Sequence, residues 1–179
     1  MESIQYKELD KSDIKQNLLE DFDRYQEIKQ YYKKENGNWI LKDHVFFGNW
    51  NKERYEEVND IMKNTIINKS GSVFGAFDGK KLIGFAVLGH KTFGTKNQYI
   101  ELKFIHVSNG YRHKGIGKEL FKYCIEKAKE IKIKKIYIST NTAEESQRFY
   151  INIGCKDAIE INKNLVEKEP YDRQMEYEV

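Results

Sequence analysis

Arg112, His113, Lys114 and Lys118 crowd around two glycines, Gly115 and Gly117, in the run Arg-His-Lys-Gly-Ile-Gly-Lys. Cationic and hydrogen-bonding side chains beside glycines suit an anion, above all a phosphate. Glycine lets the ligand approach the backbone, and the cations offset its charge. The case strengthens if the run opens a helix, whose first turn leaves N–H groups unpaired and carries partial positive charge. A solvated lysine-rich turn would use the same residues, so the flanking elements decide. Two familiar phosphate loops are excluded by spelling. Gly110 and Gly115 have Walker spacing, but Ile116-Gly117 stands where Lys-Ser/Thr is required. Leu120 occupies the place of the third glycine in the dinucleotide fingerprint.

Stepping outward along the chain, Tyr99 to Val107 alternates and predicts a strand. Ile100, Leu102, Phe104 and His106 fall to one face, with Glu101, Lys103, Ile105 and Val107 on the other. Ser108-Asn109-Gly110 is a turn cluster. From Gly117 the period becomes helical: Ile116, Leu120, Cys124 and Ala128 form an apolar stripe, widened by Phe121, Ile125 and Ile131 and opposed by Lys118, Lys122, Glu126, Lys127 and Glu130. The glycine run therefore joins a strand to a helix N-terminus. Ser72 to Phe77 and Lys81 to Leu88 predict strands joined through Asp78-Gly79, and with Tyr99–Val107 they make an antiparallel meander. Lys135 to Ser139 returns as a strand, so the helix is a crossover and the new strand lies parallel to Tyr99–Val107. A short helix over Ala143 to Asn152 and closing strands at Ala158–Ile161 and Asp172–Tyr177 complete the pattern. Ahead of this core the spacing predicts a strand over Ile4–Leu9, a helix over Ile14–Tyr32 ended by Glu35-Asn-Gly-Asn38, and a second helix over Lys52–Asn68. Between those helices lies an irregular aromatic segment, Trp39 to Trp50, with His44 in its middle; it reads as core packing in preference to a pocket lining.

Composition narrows the class. The 179 residues suit one domain with a real core, 39% are hydrophobic and 33% charged, and the net charge is +3. That charge gives no reason to expect nucleic acid. Cys124 and Cys155 are the only cysteines, and Cys124 lies on a helix stripe, so two reduced core thiols are expected. Neither cysteines nor histidines show metal-ligand spacing, so no metal is expected. Met1-Glu2-Ser3-Ile4 lacks the pattern of a signal peptide, and no stretch reaches membrane-span length. The expectation is a cytoplasmic protein with no membrane partner.

The motif Arg112-x-x-Gly115-x-Gly117, following a strand that ends in an aliphatic-x-Val unit, resembles the coenzyme A loop of the GCN5-related N-acetyltransferases, the GNAT superfamily. Arg148-Phe-Tyr-Ile-Asn-Ile-Gly-Cys155 resembles that superfamily's Phe-Tyr-x-x-x-Gly-Phe signature, with Cys155 in place of the usual aromatic. The two motifs occur in family order on the expected elements. The resemblance covers roughly 72–154 well and the first seventy residues poorly; the ending Glu169-Pro-Tyr-Asp172 is similar to that of a bacterial subgroup of unassigned substrate.

The resemblance implies an α/β (α+β) fold: a mixed, mostly antiparallel sheet of about six or seven strands flanked by helices. A V-shaped cleft is implied between its two parallel central strands. It divides the single domain into variable acceptor-side helices over 1–70 and a coenzyme-binding core over 71–179. It implies acetyl-CoA as co-substrate, held by loop N–H groups at Arg112, His113, Lys114, Gly115, Ile116, Gly117 and Lys118 and by strand backbone at Ile105, His106 and Val107. Tyr150 matches the family tyrosine beside the coenzyme sulfur and becomes the candidate general acid. Glu101 becomes the candidate base, and backbone near Ile105 would stabilise the oxyanion. Relatives often place a pantetheine-binding asparagine where this chain has Ala143, which leaves Asn141 or Ser146 to substitute. The implied reaction moves an acetyl group from acetyl-CoA to a primary amine of a small molecule by direct transfer in a ternary complex. A protein or peptide N-acetyltransferase and a non-catalytic acyl-CoA sensor remain the alternatives, and a homodimer stays open.

Overall fold

The computed structural model describes residues 3–179. Met1 and Glu2, on which the expectation of a leaderless start partly rests, lie outside the described residues. Nine strands and four helices follow in the order β1 (Gln5–Glu8), β2 (Gln26–Glu35), β3 (Asn38–Gly48), α1 (Lys52–Ile67), β4 (Gly71–Asp78), β5 (Lys81–Gly89), β6 (Tyr99–Val107), α2 (Ile116–Glu130), β7 (Lys135–Thr140), α3 (Glu144–Asn152), β8 (Lys156–Asp157), α4 (Lys163–Lys168) and β9 (Arg173–Glu178). The main sheet has seven strands in the order β1-β4-β5-β6-β7-β9-β8, and β2 and β3 form a separate hairpin. Within the main sheet only the β6–β7 pair is parallel. The mixed, mostly antiparallel sheet expected from the resemblance is present. Among the described residues no helix is long and apolar enough to cross a membrane.

Apolar residues on both faces of β4 and β5 make a three-layer arrangement. On one face Phe74, Ala76, Ile83, Ala86 and Leu88 pack with the α2 stripe of Ile116, Leu120, Phe121, Cys124 and Ala128. On the other, Val73, Leu82, Phe85 and Val87 pack with Val58 and Met62 of α1 and with Leu9, Ile14, Leu19 and Phe22 ahead of the hairpin.

The N-terminal region corrects the sequence reading. The helix expected over Ile14–Tyr32 is absent: tight turns occupy its first part and strand β2 its second. Asp10 Oδ1 accepts hydrogen bonds from the Ser12 N–H and hydroxyl, and Asp13 Oδ2 accepts from the Asp10 N–H. Such side-chain bonds compete with a helix, and successive i to i+3 turns bury Ile14, Leu19 and Phe22 instead. Asn36-Gly37, both at positive φ, then closes a β-hairpin. The segment Trp39–Trp50, expected to be irregular, is mostly strand β3. The acceptor-side "helices" of 1–70 are thus one helix and one hairpin. The strand expected at Ala158–Ile161 is absent, and a two-residue strand, Lys156–Asp157, lies just ahead of it. Beyond it the Ile159 N–H turns to the Glu176 carboxylate, and Glu160 is taken by Thr95 and Gln98. The helix α4 was not anticipated.

Register decides what β6 presents. Phe104 pairs with Val87 but Leu102 with Leu88, so Lys103 is an extra residue in a β-bulge. Before the bulge Ile100 and Leu102 face α2; after it Ile105 and Val107 do, while Phe104 packs on the α1 face. The single alternation expected along β6 is therefore inverted at Lys103. The inversion puts Glu101, Phe104 and His106 on the same face.

Below the bulge, the parallel strands are fastened by buried charge. Glu176 on β9 is fully buried, accepts from Lys135 Nζ at 2.7 Å and from the Ile159 N–H at 3.1 Å, and also takes the Tyr99 hydroxyl. Burial acts to raise its pKa, but these donors outweigh burial and hold it below the usual carboxylate range. Glu176→Ala strands the Lys135 and Tyr99 groups and should cost about 3 kcal/mol in urea unfolding. A loss under about 0.5 kcal/mol would show that the cluster does not fasten the strands.

Candidate active site

β6 and β7 pair only at Tyr99↔Lys135, Ile100↔Ile136 and Glu101↔Tyr137. Beyond Glu101 they diverge, and from Leu102 to Val107 β6 has no strand partner on that side. The resulting V opens into a cleft of about 1280 Å3 lined by β6, the glycine loop, the start of α2, the β7–α3 connection, α3 and the α4–β9 connection. Every candidate site residue except Lys114 lines it: Glu101, Ile105, His106, Val107, Arg112, His113, Gly115, Ile116, Gly117, Lys118, Asn141, Ser146 and Tyr150.

The loop is built by the backbone more than by its cations. Gly115 caps α2 at φ +81°, and a Cβ there would meet nothing within 4 Å. Gly117 is small for another reason: a Cβ would lie 3.2 Å from the Phe149 ring on α3. Arg112 turns away from the helix mouth, its Nε donating to the Val107 carbonyl at 3.1 Å and its Nη2 to that of Arg24 at 3.4 Å. Lys114 folds back to the Gly110 carbonyl at 2.9 Å and lies over the Tyr111 ring. His113 Nε2 reaches Glu145 on α3 at 3.0 Å. Lys118 is exposed and makes no ion pair among the described residues. Sequence reasoning gathered four cationic or hydrogen-bonding side chains around the anion position; the structure leaves the α2 N–H groups and Lys118 there, turns His113 to Glu145, and uses Arg112 and Lys114 to shape the loop.

The two titratable candidates are brought to one cleft. Glu101 sits where the strands part, and burial raises its pKa against the opposing charges of Lys103 and Lys168. Tyr150 is 8% exposed and its hydroxyl makes no hydrogen bond among the described residues. Burial, with the Cys155 and Cys124 thiols beside it, drives its pKa up, so it stays protonated. Those thiols are free and buried, and burial pushes Cys155 up to about 12, as expected for inert core cysteines. Of the substitutes for the missing asparagine, Asn141 Oδ1 is already engaged by the Ala143 N–H at 3.0 Å, whereas the Ser146 hydroxyl has no partner among the described residues.

Several cleft residues escaped the sequence reading. Arg24 was hidden because its surroundings read as a helix. Glu145 accepts from Gln26 Nε2 at 2.8 Å and links the hairpin to α3. Asp172 accepts from the Ser139 hydroxyl at 3.2 Å, and burial raises its carboxyl to about 6, helped by Glu169 and opposed by that hydrogen bond. Of the aromatic segment only Trp50 lines the cleft. Trp39 stacks under Arg173, Phe46 packs with Tyr31 and His44, and Phe47 is 63% exposed, so hairpin packing replaces the expected core.

The different reasons for the two glycines are separable. Gly117→Ala should lower Tm and be rescued by Phe149→Leu. Gly115→Ala should cost about 1 kcal/mol through its positive φ, with no rescue by Phe149→Leu. Equal rescue of both variants in thermal melts would contradict the assignment.

Residues 20–154 match the acetyltransferase (GNAT) family model. No protein of curated function matches the chain. Among solved structures the chain is similar to a Bacillus anthracis protein named as a streptothricin acetyltransferase, in complex with acetyl coenzyme A, at 19% identity over 99% of this chain and 98% of that one, with a TM-score of 0.73. It is also similar to nourseothricin acetyltransferase (14% identity, 98% of each chain, TM-score 0.71). A third similar structure is the paia N-acetyltransferase of Thermoplasma acidophilum in complex with coenzyme A (19% identity, 99% of each chain, TM-score 0.66). At these identities the structural likeness establishes the fold. The family match over most of the chain carries the activity: the chain belongs to the GNAT family and is an acetyl-CoA-dependent N-acetyltransferase.

Proposed function

We propose that the protein acetylates the primary amine of a small molecule by direct transfer in a ternary complex, with Glu101 as base and Tyr150 as acid. The observation that carries this reading is the unpaired edge of β6 beyond Glu101, which runs up to the N-terminus of α2. An extended amide-bearing arm adds to such an edge as a further strand, through backbone at Ile105, His106 and Val107. Its pyrophosphate then meets the N–H groups from His113 to Lys118, the Arg112 N–H being given to the Asn109 carbonyl, with the Lys118 ammonium beside them. Ser146 is the better placed of the two side chains for the arm, since the Asn141 carbonyl is committed.

Each residue then has a defined task. The amine arrives protonated, and Glu101, directly or through a water, takes that proton. The neutral nitrogen attacks the thioester carbonyl as β6 backbone near Ile105 donates to the developing oxyanion. The C–N bond forms, the C–S bond breaks, Tyr150 gives its proton to the departing thiolate, and the second proton shed by the acylated nitrogen returns through water to restore the phenol. A neutral, partnerless phenol suits that role. A small acceptor is favoured because the hairpin docks on the β7–α3 connection, through the Tyr32 N–H to Thr142 carbonyl bond at 2.8 Å, and α4 adds Leu165 and Lys168 to the cleft wall. The streptothricin and nourseothricin names of two similar structures point the same way.

Steady-state kinetics test the assignment. Tyr150→Phe should lower kcat about 100-fold and leave the KM for acetyl-CoA within about twofold. The Glu101 carboxylate must be ionised to accept a proton, so kcat/KM should fall as pH drops through its raised pKa, and Glu101→Gln should erase that limb. An unchanged kcat in Tyr150→Phe, or the same acid limb in Glu101→Gln, would remove these roles.

A further inference from the structure

The α1 face of the V carries a second group of charges that acetyl transfer from the coenzyme does not use. Arg24, in the turn before β2, lies with its guanidinium 5.6 Å from the Trp50 ring centre, and Arg54 of α1 approaches the same ring at 6.0 Å. The Trp50 ring in turn meets the His106 imidazole edge-on at 4.9 Å. Arg24, Trp50, Arg54 and His106 all line the cleft, on the face to which the bulge also turns Glu101.

Arg24 is poorly compensated. Nη1 donates to Gln26 Oε1 at 3.1 Å, but Nε is shut away from solvent with no acceptor among the described residues, and no carboxylate lies within 4 Å of the guanidinium. Two carboxylates act on this region from a distance, and both are engaged elsewhere. Glu145 takes His113 and Gln26, and Asp23 takes the Asn109 amide and the Tyr25 N–H. Arg54 is paired with Glu57 at 2.6 Å, whereas Arg112 also lacks an ion pair among the described residues. His106 contributes no positive charge: burial and the surrounding Arg24, Arg54 and Arg112 hold it well below its ordinary pKa. Burial likewise lowers Arg24, and Arg112 lowers it further. A half-buried guanidinium above an indole face, with donors to spare, is a receptor for a planar anion.

We infer that Arg24, seated over Trp50, binds a carboxylate carried by the acceptor, so that the small molecule acetylated is an amino acid or another amine bearing an anionic group. The inference rests on the acetyl-transfer reading and specifies its acceptor. The acceptor's ammonium end would lie toward Glu101 and its carboxylate toward Arg24, both on the α1 face. The coenzyme's phosphates belong at the mouth of α2, on the opposite face.

The test compares ω-amino carboxylates of graded length with their ω-amino amides and with spermidine, following release of the coenzyme thiol from acetyl-CoA. The amino carboxylates should show kcat/KM at least about tenfold above the matching amides. Arg24→Gln should erase that difference by raising the acceptor KM, and Arg24→Lys should keep part of it, with the KM for acetyl-CoA unchanged in both. Equal or better use of the amides or of spermidine would overturn the inference while leaving the acetyltransferase reading intact. A raised KM for acetyl-CoA in Arg24→Gln would overturn it differently, by assigning Arg24 to the coenzyme phosphates. Failure of the wild-type protein to bind acetyl-CoA would instead remove the site reading on which it rests.

Discussion

The loss of pairing between β6 and β7 after Glu101 is the constraint on which the rest of the site depends. Backbone N–H and C=O groups at an internal edge must find partners, and a sheet that opens in its middle exposes such groups where water or a ligand has to meet them. Three parallel pairs hold the strands together at one end. There the buried Glu176 with Lys135 and Tyr99 ties β6, β7 and β9 into one block. At the other end the chain of β6 turns through Ser108 to Tyr111 into α2, pulled toward the front of the molecule by the Asn109 N–H bond to the Asp23 carbonyl and by the Tyr111 hydroxyl on Asp78. The cleft opens between these anchors.

The bulge at Lys103 divides labour between the faces of that opening. Ile105 and Val107 keep the α2 side apolar, while Glu101, Phe104 and His106 look toward α1. A coenzyme held at the α2 mouth and an acceptor approaching from the α1 side would therefore meet at the split. Arg112 helps fix this geometry, since it clamps the end of β6 to the segment carrying Arg24. One side chain thus couples the coenzyme loop to the acceptor face.

From Ser72 to Asn152 the elements were legible because local signals agreed: the apolar runs of β4 and β5 on either side of the Asp78-Gly79 turn, the alternation along β6 up to its bulge, and the period-3.6 stripe of α2. The first seventy residues misled because signals conflicted. Ile14, Leu18, Phe22, Tyr25 and Ile28 have helical spacing, but Asp10, Ser12 and Asp13 capture backbone groups in turns, and Asn36-Gly37 is a hairpin signal that the helical pattern masked. The facing of β6 beyond Lys103 was beyond reach, because a bulge depends on the partner strand. For the same reason the residues of the glycine loop could be named while the directions of Arg112 and Lys114 could not. Arg24 and Trp50 come together only through tertiary packing.

Hydrogen exchange with and without acetyl-CoA addresses the open strand most directly. Coenzyme paired along the free edge of β6 should slow exchange over Leu102–Val107 and across the Arg112–Gly117 loop, and should leave β4 and the tip of the β2–β3 hairpin unchanged. Binding that protects the loop but not β6, or protects neither, would contradict the account of a split sheet that receives its co-substrate as a strand.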